Sequence, residues 1–180
     1  MKSRIVYKIV LTAMFFALGL VLPFLTGQIP EIGSMLLPMH LPVFLCAFIC
    51  GWQYAAMIGV ALPIIRSLLF TMPPLFPTAT AMAFELLAYG LITGLVYLLF
   101  KHKNILSVYI SLISGMICGR LVWGIVQYFL LASSGKEFTF AAFIAGAFTN
   151  AIPGIIVQLV LIPIIMLALD KAKLLPFNSK

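Results

Sequence analysis

Long apolar runs, separated by short polar or Gly/Pro breaks, make up nearly the whole chain. The first runs from about Ile5 to Leu25 and stops at Thr26-Gly27-Gln28-Ile29-Pro30-Glu31-Ile32-Gly33, where glycine and proline interrupt a helix. A second, shorter helix is predicted from Pro38, a residue suited to a first helical turn, to about Cys50. Gly51-Trp52-Gln53 reads as a tight turn, and a third helix follows from Tyr54 to Phe70, ended by Met72-Pro73-Pro74. The fourth covers Pro77 to Phe100 and the fifth Ile105 to Leu131. The sixth covers Thr139 to Leu169 and closes on Asp170-Lys171-Ala172-Lys173. A full run holds the roughly 20 apolar residues that about 30 Å of hydrocarbon requires.

Composition excludes a soluble domain. Of the 180 residues, 64% are hydrophobic and 8% charged, and the mean hydropathy is +1.22. A soluble protein carries about a quarter of its residues charged. The expectation is a single all-α domain over residues 1–180, an integral membrane protein of about six transmembrane helices in the lipid bilayer. The net charge of +7 does not point to nucleic acid, because the basic residues sit at the edges of apolar runs. With a cytoplasmic N-terminus, Lys2, Arg4, Lys8, Lys101, Lys103, Lys171, Lys173 and Lys180 all fall on the inner face, against Lys136 outside. That bias places both termini in the cytoplasm. The basic start resembles a secretory signal, but no small-x-small cleavage site follows Phe24, so the run reads as a retained first helix. Cys46, Cys50 and Cys118 lie in apolar stretches without a CxxC pair and read as small buried hydrophobes.

Ionisable residues inside membrane spans are costly and mark functional sites. Three stand out: Arg66, Glu85 and Arg120. Helix rise puts Arg66 about 6 Å, Glu85 about 12 Å, Arg120 about 16 Å and Asn150 about 15 Å below the outer ends of their helices. The inner half carries almost no polar group, so the pattern is a pocket open to one side and not a through-pore. Arg120, Trp123 and Gln127 share one face of the fifth helix; Glu85 and Tyr89 form an i, i+4 pair on the fourth. Pro153 cannot donate to the carbonyl of Thr149, leaving that oxygen free beside Asn150. His40 lies near the outer interface, as a structural hydrogen bonder or as a ligand. Two readings of the charges stay open. Either arginine pairs with Glu85 and fixes helix packing, or the cation left over meets an anionic solute through its guanidinium fork.

Gly115-x-x-x-Gly119 and Ala13-x-x-x-Ala17 are small-residue patterns that allow close helix contact. Gly135-Lys136-Glu137 lacks the hydroxyl residue and the glycine spacing of a phosphate-binding loop, so the chain does not hydrolyse ATP itself. No paired carboxylates, HExxH or nucleophile–base pair lies within a span, which argues against a membrane hydrolase. No cofactor is implied. The picture is a binding part of a larger machine.

Over essentially its whole length the chain resembles the substrate-specific S component of energy-coupling factor vitamin transporters. The resemblance rests on some six helices in this length and on Ala13-Met14-Phe15-Phe16-Ala17 in the first of them. Leu36-Leu37-Pro38-Met39-His40-Leu41-Pro42 and Pro63-Ile64-Ile65-Arg66-Ser67-Leu68-Leu69-Phe70-Thr71-Met72-Pro73-Pro74 look like the branch with pantothenate-, pyridoxine- and hydroxymethylpyrimidine-type members. The resemblance implies high-affinity capture of a vitamin from outside, then release inward by toppling with a transmembrane coupling subunit and two ATPase subunits. It also implies docking of that coupling subunit on Ala13 and Ala17, and gating by the loop from Gln28 to His40. Within the branch, the surplus positive charge favours pantothenate. A stand-alone secondary carrier for a small organic acid is the rival; it calls for an inverted repeat and polar groups in the inner half. A membrane enzyme using Glu85 or His40 is a second rival.

Overall fold

The computed structural model of the chain describes residues 2–26 and 29–174; Gly27, Gln28 and Lys180, named above, lie outside them, as do the side chains of Lys2 and Arg4. The described residues form eight α-helices and no strand: α1 (Lys2–Val21), α2 (Pro30–Leu36), α3 (His40–Ile49), α4 (Trp52–Phe70), α5 (Thr80–Leu99), α6 (Ile105–Ser133), α7 (Phe140–Ile144) and α8 (Ile152–Lys171). Five stretches are long and apolar enough to cross a membrane: Ile5–Leu25, Trp52–Phe70, Leu75–Leu99, Ile105–Ser133 and Phe140–Lys171. Together they make a multi-pass all-α membrane protein.

The local signals account for most boundaries. Pro23 falls in the 3₁₀ turn Leu22–Thr26 that ends α1, because its ring nitrogen cannot continue the i→i−4 pairing. Gly51 separates α3 from α4 with φ 108°, a conformation open to glycine at little cost. Asn104 opens α6 with a reciprocal cap: its side chain accepts from Ser107 N at 2.8 Å, and its own N–H donates to Ser107 Oγ at 3.0 Å.

Two expectations need correction. The break after Thr26 holds a seven-residue helix, α2, with Pro30 in its first turn and Leu37 in the left-handed conformation after it. The sixth run keeps its extent, Phe140–Lys171, but is interrupted within it. It divides into α7, a wide turn over Ala145–Thr149, and α8, which starts at Ile152 with Pro153 in its first turn. Proline disfavours helical backbone at the residue before it and donates no bond backwards.

The ten-residue α3 is only about 15 Å long, half of the hydrocarbon. Eight of those ten residues are buried, so α3 is the core of the bundle rather than a lipid-facing span. It packs on α1, α4, α5 and α8, and α5 in turn packs closely on α4 and α6. Glycines permit that approach: a Cβ on Gly59 would lie 2.5 Å from the Leu86 carbonyl oxygen, and one on Gly115 would overlap Thr93 Oγ1. The Gly115/Gly119 pattern is therefore internal packing. Ala13 and Ala17 instead face outward on α1.

Ring contacts set the direction of the passes. His40 and Phe44 lie against Tyr89 and Phe48 against Tyr97, so α3 runs parallel to α5. Lys103 Nζ lies 4.7 Å from the Tyr97 ring and Lys8 Nζ 5.9 Å from the Tyr54 ring. A Cβ on Gly94 would meet Trp52, beside Tyr54. The start of α1 and the α5–α6 connection thus share one basic end, and the polar residues gather toward the other.

Candidate functional site

Four polar side chains from three helices meet where the opposite half of the bundle closes over α3. Glu85 lies five residues into α5, about 8 Å from its start, and it is 1% exposed. Its Oε1 accepts from Arg120 Nη1 of α6 at 2.8 Å and from Tyr89 OH, one turn along α5, at 2.8 Å. His40, the first residue of α3, brings Nε2 to 3.6 Å from the same oxygen, just beyond hydrogen-bond reach. Of the two arginines weighed for Glu85, Arg120 is the partner.

The packing that holds this centre is visible in the sequence only in part. Tyr89 is clamped between the rings of His40 at 5.3 Å and Phe44 at 4.9 Å. A Cβ at Gly119 would overlap the Tyr89 ring, so glycine there makes the room that carries the phenol to Glu85. In a low-dielectric interior a hydrogen-bonded ion pair is tolerated, but stripping one partner leaves the other charge stranded.

The centre is not closed on itself. Arg120 Nη2 and both ring nitrogens of His40 are enclosed and have no hydrogen-bond partner in the protein; so is Gln127 Oε1, two turns along α6. Buried polar atoms are nearly always paired. Here Arg120 Nη2 and the two His40 nitrogens stay unpaired beside an ion pair.

The remaining expected residues are distributed around it. Trp123, half-buried one turn from Arg120, stacks on Phe143 at 6.4 Å and meets Phe138 edge-on at 5.9 Å. These contacts tie α6 to the segment leading into α8. Asn150 is exposed in the bend before α8, its N–H donating to the Ala145 carbonyl at 2.9 Å. Arg66 is 2% exposed, and the ion pairs of Glu85 are with Arg120 and His40 instead. Arg66 Nη1 donates to the Leu20 carbonyl at the end of α1, and its guanidinium sits 5.0 Å from the Phe24 ring and 5.3 Å from that of Phe70. Two further buried groups, Thr93 and Gln158, carry no distinguishing signal in the sequence, and Thr93 Oγ1 and Gln158 Nε2 also lack partners. Among the described residues, no three His, Cys, Asp or Glu side chains gather as a metal-ligand set.

An open apolar groove of about 460 Å³ lies on the far side of α6, bounded by Leu121, Ile125, Phe129, Phe140 and Phe143. It has none of the polar atoms of the centre.

Residues 7–166 match the family model described as ECF transporter, substrate-specific component. No curated protein and no solved structure matches the chain.

Proposed function

The chain belongs to the ECF transporter substrate-specific component family, and from that premise we propose that the Glu85–Arg120–His40 centre binds the transported solute. The family makes the chain a specificity subunit for a small molecule, not an enzyme, working in the membrane with coupling and ATPase modules. What carries the site is the set of enclosed, unpartnered atoms on Arg120 and His40 beside an ion pair that is otherwise complete.

In this reading Arg120 Nη2 donates to the solute, His40 donates or accepts, and Glu85 and Tyr89 hold Arg120 in place. Trp123 and Gln127 extend the wall along α6, and Asn150 marks the rim at the bend before α8. Arg66, already held by Leu20 and two rings, belongs to the mouth and not to the centre. An open nitrogen on a guanidinium fork suits a carboxylate, which favours a carboxylate-bearing vitamin or precursor, pantothenate first among them. The basic end of the bundle is then cytoplasmic by the positive-inside bias, and the site opens outward. The exposed Ala13–Ala17 face of α1 suits close contact with the coupling subunit, against which the chain topples to release solute inward.

Thermal stabilisation of the purified chain across free vitamins, with Arg120→Ala in parallel, tests this. One vitamin should raise the wild-type melting temperature and leave the variant unmoved. If none does, and the chain alone carries organic acids into liposomes, a stand-alone carrier replaces this reading.

A further inference from the structure

The buried face of α8 is a single stripe: Gly154, Gln158, Ile162, Pro163 and Met166. Four of these are apolar or side-chain-free, and Gln158 interrupts them. It is 2% exposed, and its amide Nε2 has no hydrogen-bond partner in the protein. A long polar side chain in an apolar stripe costs desolvation and rotamer freedom with nothing in the protein to offset it.

Its level in the bundle explains it. A Cβ on Gly154 would lie 2.6 Å from the Met35 carbonyl oxygen and 2.9 Å from that of Leu36, so α8 begins against the end of α2. Gln158 is one turn, about 6 Å, further in. His40 is four residues beyond Leu36, past the left-handed Leu37 and a turn. Gln158 thus follows the α2 contact by one turn, on a helix that packs against α3 and α6, which carry His40 and Arg120.

We infer that Gln158 is a specificity-determining residue whose amide nitrogen donates to the bound solute from the α8 side. This rests on the site reading above and extends it. Three of the enclosed free atoms, Arg120 Nη2, Gln158 Nε2 and one imidazole N–H, are donors set on three helices, while Gln127 Oε1, two turns along α6, is an acceptor. They select a compact solute with acceptor oxygens at two or more positions, such as a carboxylate with a carbonyl or hydroxyl beyond it. A solute with a single acceptor engages one helix and leaves the others unfilled.

The test uses the full chain in detergent with pantothenate, biotin, nicotinate, pyridoxine, thiamine and riboflavin as probes, read by calorimetric affinity and by melting temperature. Gln158→Leu should weaken the best probe by at least about tenfold, the loss expected for a hydrogen bond to a charged acceptor. Its unliganded melting temperature should be equal to or above wild type, because an unpaired buried amide is replaced by an apolar group. Gln158→Glu should discriminate further, losing carboxylate probes more than neutral ones. Wild-type affinity in Gln158→Leu, with binding lost in Arg120→Ala, overturns this inference and leaves the site reading standing. Affinity lost together with unliganded stability assigns the amide a packing role and also overturns it. No binding by the wild-type chain to any probe overturns both.

Discussion

Two arginines are buried in the same half of this bundle, and their surroundings are opposite. Arg66 ends in a cage: a backbone carbonyl takes one nitrogen, and two phenylalanine rings, themselves edge-to-face at 5.0 Å, lie close to its guanidinium. Arg120 ends in a half-finished bond set, Nη1 on Glu85 and Nη2 enclosed without a partner. Arg66 ties the end of α1 to the end of α4, where a delocalised cation stacks well on aromatic faces. Arg120 has a formal counter-ion and still lacks a partner. Charge counting alone ranks them the other way, since Arg66 is the cation without a carboxylate in this pair. What sets Arg120 apart from Arg66 is unfilled hydrogen-bonding capacity, not surplus charge.

The sharpest way to break the comparison is Glu85→Gln. It strands the Arg120 charge, and removing one partner of a buried pair costs about 3–5 kcal/mol. Chemical unfolding in detergent should show that loss for Glu85→Gln, and a small change would mean that solvent already reaches the pair. Arg66→Ala comes next. Two cation–ring contacts and a carbonyl bond are lost, about 2 kcal/mol in all, while solute affinity stays within about threefold, a factor worth less than 1 kcal/mol. A large affinity loss in titration would move Arg66 into the centre. Tyr89→Phe should be mildest. It deletes one donor to Glu85 and keeps the ring in its clamp, costing about 1 kcal/mol, with a modest weakening of solute binding because Arg120 is less firmly held.

Several features of the fold and of the site are legible in the amino-acid sequence alone. The apolar runs, their proline and glycine breaks and the basic edges depend on composition within about 20 residues, so they are read locally. Glu85 and Arg120 are conspicuous because an ionisable group in a span is costly wherever it points. The Glu85–Tyr89 pair follows from helical spacing alone.

Other features belong to segments whose sequence is too uniform to show their faces. α2 is hidden because Pro30 and Gly33 read as breakers, although proline in a first turn is compatible with a helix. The shortness of α3 is legible from Pro38 and Gly51 on either side of it, but its burial is not: apart from His40 the run stays apolar, and such a run shows no lipid side and no core side. Gln158 is inconspicuous because an amide in an apolar run is a weak signal until its neighbours are known.

By itself, then, the sequence determined the membrane class, the order of the runs and which groups would be costly to bury, since transfer from water is a property of each segment. Only the tertiary structure decided which of those groups meet. His40, Glu85 and Arg120 lie on three different helices, and hydrogen bonds and ion pairs form over about 3 Å, a distance that helix packing alone sets.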